Sequence, residues 1–291
     1  PYWAKSFNYA GEVKAKITLT PEGFVDNVKI LKGSPHAGFN QAIIAAVKNA
    51  EPFPSIYFDN VFDEEKLNEI LAEFPDLSKK DTTNYADDVQ VKFGSKGERF
   101  FGEKTKAFMH YLNSEPFLNF LQELTGIEET LVNDPYFHGA GQHEIKPGGF
   151  LKIHMDFNKH KTLGLDRRIN VLVYLNKDWD ESYGGHFELW KTDMSECGAK
   201  ILPLFNRMAI FSTTDKSYHG HPDPLQCPEG MSRKSLALYY YSNGRPADEF
   251  AHSKEDHRTL WAQRPDAEND TFTNKKSTVT KVINRLKKLG K

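Results

Sequence analysis

The chain has 291 residues, of which 38% are hydrophobic and 27% charged, a composition typical of one large domain with or without a small appendage. Its formal net charge is −2, so it lacks the basic excess that phosphate-backbone binding requires, and no nucleic acid is expected as a partner. No apolar run approaches the roughly 20 residues that span a membrane, and two cysteines cannot form a disulfide framework.

Residues 1–52 are predicted to form a small α+β unit. Apolar residues alternate on both sides of the turn sequence Pro21-Glu22-Gly23, which predicts a β-hairpin. A helix is predicted next, because four apolar residues share one helical face: Phe39, Ile43, Ala46 and Val47. Residues 9–54 resemble the TonB/TolA C-terminal domain, and that resemblance implies a periplasmic location. The alternative is that the hairpin and helix simply extend the main domain.

Two packing helices are predicted after residue 55. Asp63 is placed to cap the first, and Ser114 is placed to cap a second that stops at Gly126. Apolar residues with helical spacing are Leu67, Ile70, Leu71 and Phe74 in the first helix and Phe117, Phe120, Leu121 and Leu124 in the second. Both helices are expected to lie against a sheet.

After Pro135 the sequence becomes a series of short strand-like runs broken by Gly, Pro, Asn and Asp. The predicted strands are 141–146, 149–155, 168–176, 186–190, 199–204, 207–212 and 233–242. Many short strands with almost no helix predict an antiparallel sandwich or jelly roll, so the fold class is mainly β with flanking helices. Residues 53–245 are expected to form this domain.

Residues 246–291 form a polar extension. Near its end an apolar stripe lies beside lysines and predicts a terminal helix; the stripe consists of Val279, Val282, Ile283, Leu286 and Leu289. A docked or fraying terminal helix is favoured over a membrane-surface role.

His154 and Asp156 are two residues apart in a run predicted to be a strand. Strand periodicity sends both side chains to the same face, where they can share one metal ion. One imidazole and one carboxylate leave a single position to complete the 2-His-1-carboxylate triad, which suits Fe(II) because it leaves coordination sites open.

The second imidazole is expected from a distant strand. The sequence Ser-Tyr-His-Gly-His-Pro offers His219 and His221, which share a strand face, so spacing alone does not choose between them. His143 is a candidate for an inward-facing residue behind the ligands.

Arg233 heads the last predicted strand, fourteen residues beyond His219. A dicarboxylate that chelates a metal through one end needs a cation at its other end, and a guanidinium offers a planar, permanently charged fork for a carboxylate. Arg233 is therefore the candidate anchor for such a co-substrate.

Four segments resemble the 2-oxoglutarate–Fe(II) oxygenase superfamily, on its prolyl-4-hydroxylase-like branch. They occur in the order typical of the family: GGFLKIHMDFN, RRINVLVYLNKDWDESYGGHFELW, NRMAIFSTTDKSYHGHPDPL and SRKSLALYYYS. The resemblance covers residues 55–245 and implies a double-stranded β-helix, a form of jelly roll, around the iron.

The resemblance implies roles for the metal-binding candidates. His154 and Asp156 match the first histidine and the carboxylate of the family, and His219 matches its distal histidine. The loop between His219 and Arg233 is longer than in many relatives, which keeps His221 as the alternative.

The resemblance also implies a co-substrate site. Arg233 matches the basic residue that holds the far carboxylate of 2-oxoglutarate, and Tyr174 matches a residue that hydrogen-bonds the same carboxylate. Asn170 lies on the strand face of Tyr174 and is a further candidate for co-substrate binding.

The implied activity is a dioxygenase that hydroxylates a C–H bond, of a prolyl residue or a small molecule, while 2-oxoglutarate is decarboxylated to succinate and CO2. The cofactors expected from the resemblance are Fe(II), 2-oxoglutarate, dioxygen and ascorbate. The expected partner is a small-molecule or peptide substrate. The cofactors favour the cytoplasm, with the periplasm as the alternative from the N-terminal resemblance. Substrate contacts are expected on loops 84–98 and 157–166.

The rival hypothesis is a non-catalytic jelly-roll module that binds a carbohydrate or another ligand. In that interpretation four aromatic residues would line a sugar-binding platform: Trp179, Trp190, Tyr239 and Tyr241. Such a module would need neither an iron site nor Arg233.

Overall fold

The structure is a computed structural model that describes residues 14–19, 25–32, 55–246 and 257–265, together with residues 267 and 270. Strands β1 (Lys14–Leu19) and β2 (Val25–Lys32) pair as an antiparallel hairpin, with Ile17 opposite Val28. This confirms the hairpin predicted from the alternation of apolar residues. The helix predicted around residues 39–47 and the terminal helix predicted after residue 278 lie outside the described residues.

The main domain is built on twelve short strands. They are β3 (Ser55–Asp59), β4 (Thr83–Ala86), β5 (Gln90–Gly94), β6 (Gly141–Ile145), β7 (Phe150–Met155), β8 (Asp166–Tyr174), β9 (Phe187–Trp190), β10 (Cys197–Ile201), β11 (Arg207–Ser212), β12 (Tyr218–His221), β13 (Arg233–Ser242) and β14 (Leu260–Trp261). Their hydrogen-bonded order is β10-β9-β12-β7-β5-β6-β13-β8-β11-β3, with β4 beside β5 and β14 beside β7.

The two halves of this order face each other. Strand β5 pairs with both β6 and β7, so it joins β6-β13-β8-β11-β3 to β10-β9-β12-β7 in a nearly closed antiparallel barrel. Apolar side chains from both halves meet inside it, among them Tyr174, Phe187, Leu189, Ala209 and Phe211. The predicted jelly-roll core is therefore confirmed, and all seven predicted strands are present with bounds shifted by up to three residues.

Three helices cover the outer face of the larger half: α1 (Glu64–Ala72), α2 (Glu103–Leu112) and α3 (Glu115–Thr125). Fully buried side chains of the helices, such as Leu67, Phe108 and Leu121, share one core with Val171 and Met208 of the sheet. Burial of this apolar face stabilises the helices far more than their intrinsic propensity does. None of the helices in the described ranges is long and apolar enough to cross a bilayer.

The predicted helix ends are confirmed, with one correction. Asp63 caps α1 by accepting a 3.0 Å hydrogen bond from the Lys66 amide, and Gly126 ends α3 in the left-handed conformation at φ 69°. Ser114 stands at the N-cap of α3 but does not cap it through its side chain, because its hydroxyl donates to the carbonyl of Tyr111 instead.

Residues 84–98, predicted to be a loop, contain most of β4 and all of β5. That prediction was wrong because lysines and aspartates interrupt the apolar alternation in this segment. Here β5 pairs with both halves of the barrel and lies beside the site described below.

Strands β7 and β12 approach each other unusually closely at Gly220. A Cβ atom built on this residue would lie 2.7 Å from the Leu151 carbonyl oxygen and 2.8 Å from that of Lys152. Real Cβ contacts with backbone are essentially never so short, so only glycine permits this pairing. Gly220 separates His219 from His221, and the spacing of the two strands therefore sets where both imidazoles lie.

We predict that Gly220→Ala destabilises the protein by about 1–3 kcal/mol, because the added methyl group must push β12 away from β7. Gly94→Ala is the matched control. It also lies on a strand, but its added Cβ would stand 3.5 Å from the nearest atom, a carbon of His143. Urea unfolding measures both variants. Equal unfolding midpoints for Gly220→Ala and the wild type would show that the close approach is not a real constraint.

Candidate metal centre

Strands β7 and β12 bring His154, Asp156 and His219 together. His219 lies directly opposite His154 in the antiparallel register, and Asp156 follows Met155, the last residue of β7. One potential ligand atom from each residue lies within 4.8 Å of the others. Asp156 Oδ1 is 3.6 Å from His154 Nε2, and Asp156 Oδ2 is 3.3 Å from His219 Nε2.

Backbone carbonyl groups orient both imidazole rings. His154 Nδ1 lies 2.9 Å from the carbonyl oxygen of Lys152, and His219 Nδ1 lies 2.8 Å from that of Ser217. A carbonyl oxygen can only accept, so each Nδ1 carries the proton and each Nε2 lone pair faces Asp156. Burial, and then His219, lowers the pKa of His154 to about 4, so this ring is neutral at physiological pH. Both rings are oriented as metal ligands.

Two side chains of β8 hold the Asp156 carboxylate. Asn170 Nδ2 donates a 2.8 Å hydrogen bond to Asp156 Oδ2, and Arg167 Nη2 forms an ion pair with the same oxygen at 2.9 Å. Burial by itself would raise the pKa of the Asp156 carboxyl, but the charge of Arg167 holds it well below its usual range. Asp156 is therefore an anion of fixed orientation.

Arg167 was not predicted from the sequence, because a charged residue at the start of a strand usually faces solvent. Here it is fully buried, with its guanidinium 3.5 Å from the ring centre of Tyr239 and 4.4 Å from that of Phe157. Its Nε donates to Asn170 Oδ1 at 2.9 Å, so both side chains that contact Asp156 also support each other. Asn170, predicted to bind the co-substrate, contacts this carboxylate; its role toward the co-substrate remains a prediction.

The donor set fits a divalent iron ion. Two imidazole nitrogens and one carboxylate oxygen are the facial triad of non-haem Fe(II) sites, and the hydrogen bonds behind each donor are those that usually orient such ligands. A structural zinc site would need a fourth protein ligand, and no other His, Cys, Asp or Glu of the described residues joins the group.

A pocket next to the triad contains Arg233. This guanidinium is 4% exposed; its Nε donates to the carbonyl of Gly185 at 2.9 Å, and its Nη2 lies 3.4 Å from the Tyr174 hydroxyl. No carboxylate of the described residues forms an ion pair with it, and burial lowers its pKa. An arginine in this setting favours an anionic ligand, because leaving it uncompensated is costly. Gly185 permits the contact: its φ is 71°, and a Cβ there would stand 3.1 Å from Arg233 Cδ.

His221 lines the same pocket but is not in the triad. A bulge between His219 and His221 places His221 opposite Leu151, and the pocket that it lines also holds Arg233. It is 3% exposed, and neither of its nitrogens has a hydrogen-bond partner among the described residues. Burial, and then the charge of Arg233, depresses its pKa far below the usual value.

His143 and Lys92 complete the wall of this pocket. His143 Nε2 lies 3.1 Å from the carbonyl oxygen of Gly139, and burial lowers its pKa to about 3. Burial also lowers the pKa of Lys92 to about 8. His143 was considered from the sequence as an inward-facing residue; Lys92 was not, since it belongs to the segment predicted to be a loop.

A wider cleft of about 800 Å³ opens from the triad to the surface. Its walls include β4 and β5, the segment around residues 136–139, and a C-terminal strap formed by residues 257–265. The strap pairs with β7 through β14, where Trp261 lies opposite His154 with the ring centres 5.0 Å apart. The first residue of the strap is held in place by a hydrogen bond, since His257 Nε2 lies 2.9 Å from Asp215 Oδ1.

The aromatic side chains of the rival hypothesis do not form an exposed platform. Trp179, Trp190, Tyr239 and Tyr241 are each at most 9% exposed. The Trp179 indole donates to the carbonyl of Gly184, the Trp190 indole to Glu188, and Tyr239 faces the metal candidates. A sugar needs an accessible ring face to stack on, and these four residues do not provide one.

Two family models match the chain. Residues 140–241 match the model of the 2OG-Fe(II) oxygenase superfamily, and residues 1–74 match that of the TonB C terminal. A curated relative, prolyl 3-hydroxylase OGFOD1 of Mus musculus, is 29% identical over 108 residues, which cover 33% of this chain and 19% of the relative. The chain thus matches about a fifth of the length of that relative.

Solved structures are similar to this chain, and the first named here shares its fold. A prolyl hydroxylase of Trichoplax adhaerens, in complex with a hypoxia inducible factor oxygen degradation domain peptide fragment, has a TM-score of 0.50 at 17% identity, covering 70% of this chain and 88% of that one. A Pseudomonas putida prolyl-4-hydroxylase has a TM-score of 0.49 at 12% identity, covering 69% and 98% respectively. The family matches confirm both resemblances noted in the sequence.

We predict that His219→Ala weakens binding of Mn(II), a redox-stable substitute for Fe(II), by at least about 100-fold, because a direct ligand matters more than the orienting groups behind it. His221→Ala is the matched control, two residues away and equally buried, and its Mn(II) affinity is expected to match that of the wild type. Isothermal titration calorimetry gives both affinities. The reverse pattern would make His221 the ligand.

Proposed function

We propose that the chain is a 2-oxoglutarate-dependent dioxygenase that hydroxylates a C–H bond at the His154, Asp156 and His219 centre; the match of residues 140–241 to the 2OG-Fe(II) oxygenase superfamily supports this. When bound there, Fe(II) with 2-oxoglutarate and dioxygen supplies the oxidising power, and 2-oxoglutarate leaves as succinate and CO2. The observation that carries the proposal is the triad beside a buried arginine that has no carboxylate partner among the described residues.

His154, Asp156 and His219 would hold Fe(II), and the wider cleft reaches His154 and Asp156. Asp156 would neutralise part of the metal charge, and Arg167 with Asn170 prevents the carboxylate from rotating away. Trp261 and Phe211 cover the imidazoles at ring distances of 5.0 and 4.7 Å and restrict access of water to the ligands.

Arg233 and Tyr174 bind the far carboxylate of 2-oxoglutarate. The guanidinium remains charged in the buried pocket and presents its remaining N–H groups to the ligand, while Tyr174 adds a hydroxyl donor. Fixing this end orients the 2-oxo acid end toward the metal. Ascorbate would serve as an external reductant and needs no site of its own.

The prime substrate enters through the wider cleft. We propose a prolyl residue of a peptide as the leading candidate, supported by the prolyl hydroxylases among the similar proteins. The cleft volume of about 800 Å³ also suits a free small molecule, which is the second candidate.

We propose a division into an N-terminal unit at residues 1–52, the oxygenase domain at 53–245 and an extension from 246. The match to the TonB C terminal extends to residue 74, but β3 pairs with β11, and α1 buries Leu67 and Ile70 in the oxygenase core. These contacts support a boundary near residue 53. The cytoplasm is the proposed compartment because it supplies both cofactors; the N-terminal match is the observation that favours the periplasm.

We predict that the protein with Fe(II), 2-oxoglutarate and air forms succinate slowly even without prime substrate, and that Asp156→Ala abolishes this turnover. Asp193→Ala, in an exposed turn that lines neither pocket, is the control and should retain the wild-type rate. Succinate is quantified by mass spectrometry, and prolyl peptides and small molecules are then screened for stimulated release. Succinate formation that survives in Asp156→Ala would contradict the proposed site.

A further inference from the structure

The wider cleft is unevenly charged. Four charged side chains line it: Lys92, Lys96 and Arg258 are cationic, and Asp156 is anionic. Since Asp156 belongs to the metal candidates, no other carboxylate is part of the described wall. A cleft with this balance favours a ligand that brings negative charge of its own.

Only some of these cations are available to a ligand. Lys96 Nζ is 2.8 Å from Asp81 Oδ1, so this ammonium group already has a carboxylate partner, which it shares with Arg99. Lys92 is half-buried with its Nζ 5.1 Å from the ring centre of Tyr85, and no carboxylate of the described residues pairs with it. The carboxylates that raise the pKa of Lys92 are Asp156 and Asp87, and neither lies within ion-pair distance of its ammonium group.

Lys92 stands where the cleft meets the metal centre. It lines both the wider cleft and the inner pocket that holds the triad and Arg233. An anion bound by its ammonium group would therefore lie where the wider cleft adjoins the pocket of the triad. Arg258, exposed on the C-terminal strap, belongs to the outer part of the same wall.

We propose that the prime substrate carries a carboxylate or phosphate group near the oxidised carbon and that Lys92 binds this group, with Arg258 attracting it at the entrance. This inference rests on the proposed function and narrows its substrate class. Tyr85 packs against the lysine side chain from the paired strand, which holds the ammonium group in the cleft. A neutral analogue of the substrate would leave Lys92 without the charge-assisted hydrogen bond and would bind more weakly.

The test uses the Mn(II)-loaded protein with saturating 2-oxoglutarate, because Mn(II) accelerates the nuclear relaxation of any ligand held near it. The carboxylate probes are N-acetylproline and N-acetylalanine, each compared with its primary amide, from which it differs in one charge. The phosphate probes are the two corresponding phosphate compounds, each compared with its neutral analogue. Relaxation of the probe protons reports binding near the metal without any turnover. We expect the anionic members to bind about tenfold more tightly than their neutral partners.

Variants assign this preference to Lys92. Lys92→Met should abolish the preference for anionic probes, and Lys92→Arg should retain it. Lys96→Met removes the cation of the same cleft that already has a carboxylate partner, so it should leave the preference unchanged. A preference that persists in Lys92→Met would mean that the anion binds the metal or another group, and the proposal would be wrong. Equal binding of anionic and neutral probes to the wild type would also overturn it.

Binding of 2-oxoglutarate distinguishes failure of this proposal from failure of the proposed function on which it rests. If 2-oxoglutarate protons are not relaxed by the Mn(II)-loaded wild type, the co-substrate site itself is wrong. If they are relaxed but Lys92→Met weakens 2-oxoglutarate binding by as much as probe binding, Lys92 serves the co-substrate, and the substrate proposal fails alone. The expected result is that Lys92→Met weakens binding of the anionic probes much more than it weakens binding of 2-oxoglutarate.

Discussion

The close pairing of β7 with β12 is the constraint on which the site depends. Gly220 lets the two strands approach so closely that a Cβ atom at this position would not fit. The strands pair in a register that places His219 opposite His154. Asp156 follows directly after β7, so one backbone contact places all three candidate ligands. The carbonyl groups of Lys152 and Ser217 then turn the rings, so that the donor atoms are oriented by the main chain rather than by flexible side chains.

Two buried arginines on neighbouring strands, Arg167 and Arg233, differ in whether a carboxylate compensates their charge. Arg167 on β8 is compensated by Asp156 and enclosed by aromatic rings, so its charge orients a candidate metal ligand. Within the described part of the chain, Arg233 on β13 has only neutral partners, a carbonyl and a phenol, so its charge is available to a bound carboxylate. Lys92, where the cleft meets the metal centre, also has no carboxylate partner among the described residues.

Local signals made much of the fold and the triad predictable. Turn residues bound the strands, Asp63 caps its helix through a contact three residues away, and the two-residue spacing of His154 and Asp156 is a strand property. Features that depend on distant partners were not predictable. Arg167 becomes buried only because of rings on other elements, Trp261 meets His154 across more than a hundred residues, and a bulge separates His221 from the triad.

Our central proposal is that the triad and Arg233 together bind Fe(II) and 2-oxoglutarate. Anaerobic titration of the Fe(II)-loaded protein with 2-oxoglutarate tests it most directly, because a chelated 2-oxo acid gives a weak visible charge-transfer band. We expect a band that saturates at one 2-oxoglutarate per chain and is lost in Arg233→Met at the same concentrations. No band in the wild type, or an undiminished band in Arg233→Met, would contradict it.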